Sequence, residues 1–436
     1  MDKKIEYAIK THGMEGSFGR VIIGFSGGAD SSLLLHWFST RAREIVCVHV
    51  NHMIRGDEAD RDQYFCSEMC KKYGVELVVH KIDIPLIAEK RGKGIEETAR
   101  EERYRVFQNE LRDRGFDAIL TAHNGDDNLE SVIFNLTRGT GLNGLGGIKP
   151  KNGNVLRPLI YLSKEEIFSY CHENNIKYVT DSTNEDTDYT RNYIRHIVVP
   201  ALKKINPELN SAIGRMTEGL IRDESFILSQ AKDFVLSCNE GCADINGIRS
   251  LSPSVRARVL KLLAGHSLDY KSICSCEDII FNSECGSYVE LSSGLAFKRE
   301  RDYVHFIPKE ALCRVEYYYK LTDTVHIDEL NVIASLNELD ASVYERLFTL
   351  TLLRSSIDGG LIIRSRREGD KLLHNGMTKK VKRILCDKHI PSHLRDRIPI
   401  ICDGSGIVAL YDICLRDGCK YNGNGEKIKI TFYKSK

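Results

Sequence analysis

The sequence of 436 residues lacks several features that would settle its class at once. Its 14 cysteines form no C-x-x-C pair. The closest spacings are Cys66/Cys70, Cys238/Cys242 and Cys274/Cys276, so they read as reduced, mostly buried thiols rather than a zinc or iron–sulfur centre. Charge of either sign is not in excess: 62 Lys and Arg stand against 61 Asp and Glu, a net +1. That excludes a uniformly cationic protein, and any nucleic-acid contact must come from a local patch. The opening "MDKKIEYAIKTHGMEGSFGR" has no apolar core of leader length, and no later run is long enough to span a membrane. These absences predict a cytoplasmic protein with no membrane partner. No internal repeat or low-complexity tract is evident. The Lys-bearing G-x-x-x-x-G-K-[ST] loop and the G-x-G-x-x-G dinucleotide loop are both missing.

What is present suffices for two or three domains with real cores, since 42% of the residues are hydrophobic. The first half alternates buried strands, "EIVCVHVNH" (44–52), "VELVVHKID" (75–83) and "AILTAHN" (118–124), with helical patterns at 57–73 and 95–111. This predicts an α/β fold with a doubly wound parallel sheet, whose ligands gather at the carboxyl ends of the strands. His49, Asn51 and His52, and His123, Asp126 and Asp127, fall at such ends. A helix from about Ser163 and a long connector helix over 208–238 follow, with Pro200 and Pro207 closing the first domain. A helix starting at Ser252–Pro253 and strands near 288–291 and 304–306 indicate a small second domain. Beyond about Leu361, short strands surround a basic helix over 378–389. The domains expected are thus 1–207 for catalysis, 208–310 for the connector and a small substrate-binding domain, and 361–436 for a C-terminal nucleic-acid-binding domain. The stretch 311–360 remains a linker without assignment.

The stretch "VIIGFSGGADSSLLLHWF" (21–38) reads as strand, tight turn and helix. Glycines at such a junction let backbone N–H groups close on a phosphate, which the helix dipole favours. With Asp30 where other loops place Lys, a carboxylate can hold Mg²⁺ against a polyphosphate. The structural alternative is a Gly-rich turn with an acid complementing the helix N-terminus. Trp37 belongs to an apolar helix face.

The motif S-G-G-x-D-S after a hydrophobic strand, "SGGADS" (26–31), resembles the signature of the PP-loop, or N-type ATP pyrophosphatase, superfamily. Five further segments resemble blocks of the tRNA(Ile)-lysidine synthase family in that family's order: "GIEETAREERYRVF" (94–107), "TAHNGDDNLES" (121–131), "RGTGLNGLGGI" (138–148), "VLRPLI" (155–160) and "DSTNEDTDYTRNYIRHIVVPAL" (181–202). The C-terminal "SRREGDKLL…GMTKKVKRILCDKHIPSHLRDRIPII" (365–401) is similar to that family's last domain. Asn124 stands where a second His is common and Ser131 where Thr is common.

The resemblance implies that ATP adenylates the C2 oxygen of the wobble cytidine in an isoleucine tRNA with a CAU anticodon. The ε-amine of free L-lysine then displaces AMP to give lysidine. Ser26, Gly27, Gly28, Ala29, Asp30 and Ser31 would bind ATP together with His52, and Asp30 would hold Mg²⁺. Arg103 and Arg195 would meet the α-phosphate, with Arg100 and Arg191 as neighbours able to replace them. Helix-face pairing with Glu97 or Asp188 is the structural alternative for these arginines. Asp127 and Glu130, three apart on one helix face, are candidates for the lysine pocket; dipole complements are the alternative. His49 and His52 read equally as packed histidines or ATP contacts, and no further ligand cluster makes them a zinc site. Lys379, Lys380, Lys382, Arg383 and Lys388 offer a basic face for tRNA phosphates, with Val381, Ile384 and Leu385 on the apolar side. A homodimer is compatible with the sequence. Two competing functions are a PP-loop tRNA thiolase, disfavoured by the missing C-x-x-C, and a catalytically silent tRNA-binding protein. An amidotransferase-type synthetase would need a glutaminase module that is not apparent.

Overall fold

A computed structural model describes residues 1–54, 56–180, 190–238, 241–388 and 390–435, and the chain parts into two compact units, Met1–Phe226 and Ile227–Lys436. The first unit is built on a six-stranded sheet: β1 (Arg20–Gly24), β2 (Glu44–Asn51), β3 (Glu76–Lys81), β4 (Ala118–Leu120), β5 (Lys151–Asn152) and β6 (Val155–Leu156). The order is β3-β2-β1-β4-β6-β5, all parallel except the edge strand β5. Apolar runs such as Val21–Ile23 are fully buried because both faces are covered. One face packs Leu33, Leu34 and Phe38 against Val21 and Ile23, and the other packs Val106 and Phe107 against Ile22 and Val46. The expected doubly wound sheet is therefore present, and the predicted helices lie at Asp57–Tyr73 and Ile95–Arg114.

Strand order reverses at β1, which sits between β2 and β4. A cleft opens at such a switch point because the flanking connections leave on opposite faces. The loop after β1 and the loop after β4 therefore converge.

In the second unit, strands Ala243–Asp244, Tyr303–Pro308, Leu295–Arg299 and Tyr288–Glu290 form one antiparallel sheet. Helices Pro253–Ala264 and Tyr270–Phe281 cover it through Val259, Leu260, Cys276 and Ile280. The stretch 311–360, a linker in the sequence reading, carries strands Tyr318–Leu321, Thr324–Ile327, Val332–Ser335 and Tyr344–Leu353. These join strands from 361–435 in a five-stranded and a four-stranded sheet, whose facing residues share one core that includes Leu321, Ile363, Val408, Leu350 and Phe432.

The basic segment is also shorter in helix than predicted. Met377–Lys380 is a strand paired with Lys371–His374 across Asn375 and Gly376, both at positive φ, and the helix covers only Val381–Asp387. Asn-Gly is the favoured pair for a two-residue hairpin turn, because both positions need the left-handed region. Lys379 and Lys380 thus lie on a hairpin, Lys382 and Arg383 on the helix and Lys388 at its C-cap. Val381, Ile384 and Leu385 are buried as expected. His389 lies outside the described residues. None of the 14 cysteines is in a disulfide, but Cys274, Cys285, Cys313 and Cys386 are exposed.

Candidate active site

The loop after β1 is shaped by Gly27, whose φ of +83° is the left-handed region. A Cβ there would also approach Phe65, Cys66 and Val179 within 3.1–3.2 Å. Gly28 then caps the Ala29–Phe38 helix in an extended conformation, and no side chain occupies the cap. Its first amide groups are left for another acceptor, the arrangement that suits an anion. The serines brace the loop: Ser31 Oγ donates to the Gly28 carbonyl at 3.1 Å, and Ser32 Oγ to that of Gly27 at 3.3 Å. Ser26 Oγ and Ser31 Oγ lie 3.2 Å apart. His49 is buried with Nδ1 2.9 Å from the Phe25 carbonyl, so it braces the loop from β2 as a packed histidine.

Asp30, in the first turn of that helix, meets the loop after β4. Asn124 Nδ2 donates to Asp30 Oδ1 at 2.9 Å. The same Asn124 caps the Gly125–Thr137 helix, its side chain accepting from Asp127 N at 3.0 Å while Asp127 Oδ2 accepts from Asn124 N at 3.1 Å. This capping box fixes both loops in one geometry. Ser131 Oγ donates to the Asp127 carbonyl at 2.8 Å and accepts from Arg191 Nη2 at 3.3 Å.

The electrostatics are those of a charged cleft held under strain. Burial raises Asp30 above the usual carboxylate range, against the opposing pull of Lys164, the Asn124 amide and Arg195. Burial also pushes Asp127 up to about 6; the Asn124 N–H works against that, and the neighbouring Asp30 and Glu130 add to it. Glu130 is buried and grips Arg195 with two bonds, Nε to Oε1 at 2.6 Å and Nη2 to Oε2 at 2.9 Å. Arg195 Nη2 is also 3.7 Å from Asp127 Oδ1. It projects from a π-helical turn, Ile194–Val198, an irregularity frequent at functional sites. Beside it a cleft of about 510 Å³ is lined by Asp126, Glu130, Lys164, Arg195, Lys203 and Lys204.

Arg103 Nη2 lies 3.2 Å from His52 Nε2, so these two predicted residues meet each other. Arg191 pairs with Glu96 and Glu130, each at 3.6 Å, rather than with Glu97, while Asp188 is outside the described residues.

His123, expected at a strand end, converges here with Arg157 and Lys164, which the sequence reading left out of the site. Burial and then the guanidinium groups of Arg157, Arg100, Arg103 and Arg191 press His123 down to about 3. Four cations around one neutral imidazole make a positive pocket, which attracts anions. Arg157 is buried, its Nη1 donates to the Lys149 carbonyl at 2.7 Å, and its Nε has no hydrogen-bond partner. It follows directly on β6, a strand end where a ligand residue could have been sought. Lys164 starts the helix that Ser163 and Glu166 cap, and its N–H donates to Asp126 Oδ2 at 2.8 Å. The five basic candidates at 379–388 lie in the second unit and are described only there.

Comparison with known proteins places this geometry. Residues 1–202 match the family model of the PP-loop domain (ATP_bind_3), and residues 361–432 match that of the TilS substrate C-terminal domain. The chain is 30% identical to the tRNA(Ile)-lysidine synthase of Persephonella marina, with 94% of each chain covered. It is 31% identical to that of Clostridioides difficile strain 630, with 99% of each covered, and 29% identical to that of Bacillus subtilis strain 168, with 93% and 91% covered. Similarity at this level along nearly the full length means that the chain belongs to the tRNA(Ile)-lysidine synthase family of ATP-dependent ligases.

Proposed function

We propose that the cleft between the loop after β1 and the Gly125–Thr137 helix adenylates the C2 oxygen of the wobble cytidine in isoleucine tRNA with a CAU anticodon, and then delivers L-lysine to that carbon. One observation carries the reading: Asp30, Asp127, Glu130 and Arg195 come together beside a phosphate-binding loop.

Ser26 to Ser31 hold the ATP polyphosphate through backbone N–H groups and the helix terminus. The carboxylate of Asp30, an oxygen donor buried beside the loop, fits a hard divalent cation. Bound Mg²⁺ would supply positive charge against the polyphosphate there. Arg103, with Arg100, Arg157 and Arg191, meets the charge that develops around the α-phosphate as pyrophosphate leaves. Glu130 and Asp127 take the ammonium groups of lysine. In the structure the Arg195 guanidinium fills that carboxylate pair, so Arg195 acts as a stand-in cation that transfers to phosphate when lysine enters. An ionised carboxylate beside the reacting ε-amine also accepts the proton that it must lose.

The test is direct. With ATP, Mg²⁺, labelled lysine and unmodified isoleucine tRNA, the label is expected to be fixed in the anticodon loop. Label that stays free, with ATP intact, would instead favour a silent tRNA-binding protein.

For tRNA binding, we propose the basic face of the hairpin and short helix in the second unit. Lys380, Lys382, Arg383 and Lys388 are exposed and Lys379 half-buried. Replacing Lys379, Lys380 and Arg383 by Ala is expected to weaken tRNA binding and to reduce the slope of log affinity against log salt by about 2–3, from about 0.7–0.9 per phosphate contact. An unchanged affinity and slope would mean a merely solvated face.

A further inference from the structure

The second unit brings together a buried glutamate, a buried histidine and a half-buried histidine that the reaction does not use. Glu300 follows strand Leu295–Arg299, and His305 lies on the paired strand Tyr303–Pro308. His393 belongs to the one-and-a-half-turn segment Ser392–Arg397 of the C-terminal part. One ligand atom from each of the three lies within 4.8 Å of the other two. Glu300 and His305 are 6% and 7% exposed. His305 Nε2 and His393 Nδ1 are both buried without a hydrogen-bond partner. A buried imidazole nitrogen with no partner forfeits the stabilisation of a hydrogen bond, and natural structures keep few such groups without a reason.

We propose that Glu300, His305 and His393 form a binding site for a borderline divalent cation, zinc foremost, that clips the Tyr303–Pro308 strand to the Ser392–Arg397 segment. Two imidazoles and one carboxylate are a donor set that zinc takes, with water completing four-coordination. Binding would draw donors now within 4.8 Å of one another onto bonds of about 2.0–2.1 Å. Lys298 Nζ, 3.7 Å from Glu300 Oε1, is the resident cation that a metal displaces from the carboxylate. The 14 cysteines take no part, which separates this site from any thiolate centre.

The experiment uses the full-length, reduced, chelator-stripped protein, titrated with Zn²⁺ and separately with Co²⁺. One tight equivalent of zinc per chain is expected, with a rise in the melting midpoint. The cobalt spectrum should show ligand-field bands of nitrogen and oxygen ligation without a thiolate charge-transfer band. The His305→Gln/His393→Gln variant should bind zinc more weakly by at least the roughly 10–100-fold that loss of an outer-shell partner already costs. No tight equivalent in the wild-type protein, a thiolate band, or equal binding by the variant each overturns the site. Should the double variant not fold, the wild-type stoichiometry and cobalt spectrum decide alone, with Glu300→Gln as the second variant.

Discussion

Asp30→Asn is expected to lower pyrophosphate release by about a thousandfold or more, because a carboxylate that anchors Mg²⁺ carries charge stabilisation worth several kcal/mol. The substitution preserves shape, and the new amide oxygen still accepts from Asn124 Nδ2, which now reaches Asp30 Oδ1 at 2.9 Å. Stability should move the other way. A carboxyl whose folded pKa is raised by burial destabilises the fold once pH exceeds its unfolded value, and the full cost is present above the folded value. Neutral Asn carries no such cost, so at neutral pH the melting midpoint should equal or exceed that of the wild type. Activity and stability are thus predicted to separate. A variant with near-normal turnover would remove the metal role, and one that melts well below the wild type would make Asp30 a structural residue.

Glu130→Gln is the second large effect. Its carboxylate is the buried anion of the proposed lysine pocket, now gripped by Arg195 at 2.6 and 2.9 Å. A charge-assisted bond to an ammonium is worth roughly 1.5–3 kcal/mol, so half-saturating lysine should rise by about 10–150-fold while half-saturating ATP changes far less. Equal losses for both substrates would indicate general damage. The pH dependence supplies an independent readout through the neighbouring Asp127. With its pKa pushed up to about 6, Asp127 is charged above that pH and neutral below it. Lysine saturation should therefore weaken as pH falls through about 6, toward about tenfold per unit. Asp127→Asn should abolish that limb. The same shift predicts that Asp127 favours the folded state below its unfolded pKa and loses that contribution as pH rises through about 6.

Elements with a strong local signal were legible in the sequence. Buried runs such as Val21–Ile23, the helix at Asp57–Tyr73 and the loop at 26–31 carry their own periodicity or glycine chemistry. The strands of 311–360 do not. Leu350 pairs with Ile430, Ile333 with Tyr433 and Leu321 with Leu361, so apart from the local pairing of Thr324–Ile327 with Val332–Ser335 the partners that make these segments strands lie outside 311–360. The hairpin at Asn375–Gly376 was readable from its turn pair, but the basic residues beyond it masked the strand in a helical pattern. In the cleft, the acids stood out because they share a helix turn with a recognisable cap. Arg157 did not, because the positive pocket around His123 exists only once β6 lies beside β4 and the Ile95–Arg114 helix packs across them. Asn124 serves both as helix cap and as donor to Asp30.

In the proposed reaction this cleft activates the base and not the amino acid. This is tested most directly with ATP labelled at the α-phosphate, Mg²⁺ and isoleucine tRNA, with lysine left out. Label is expected to transfer to the tRNA as pyrophosphate leaves, and then to be released as AMP when lysine is added. Label that joins lysine in the absence of tRNA, or that never reaches tRNA without lysine, would contradict it.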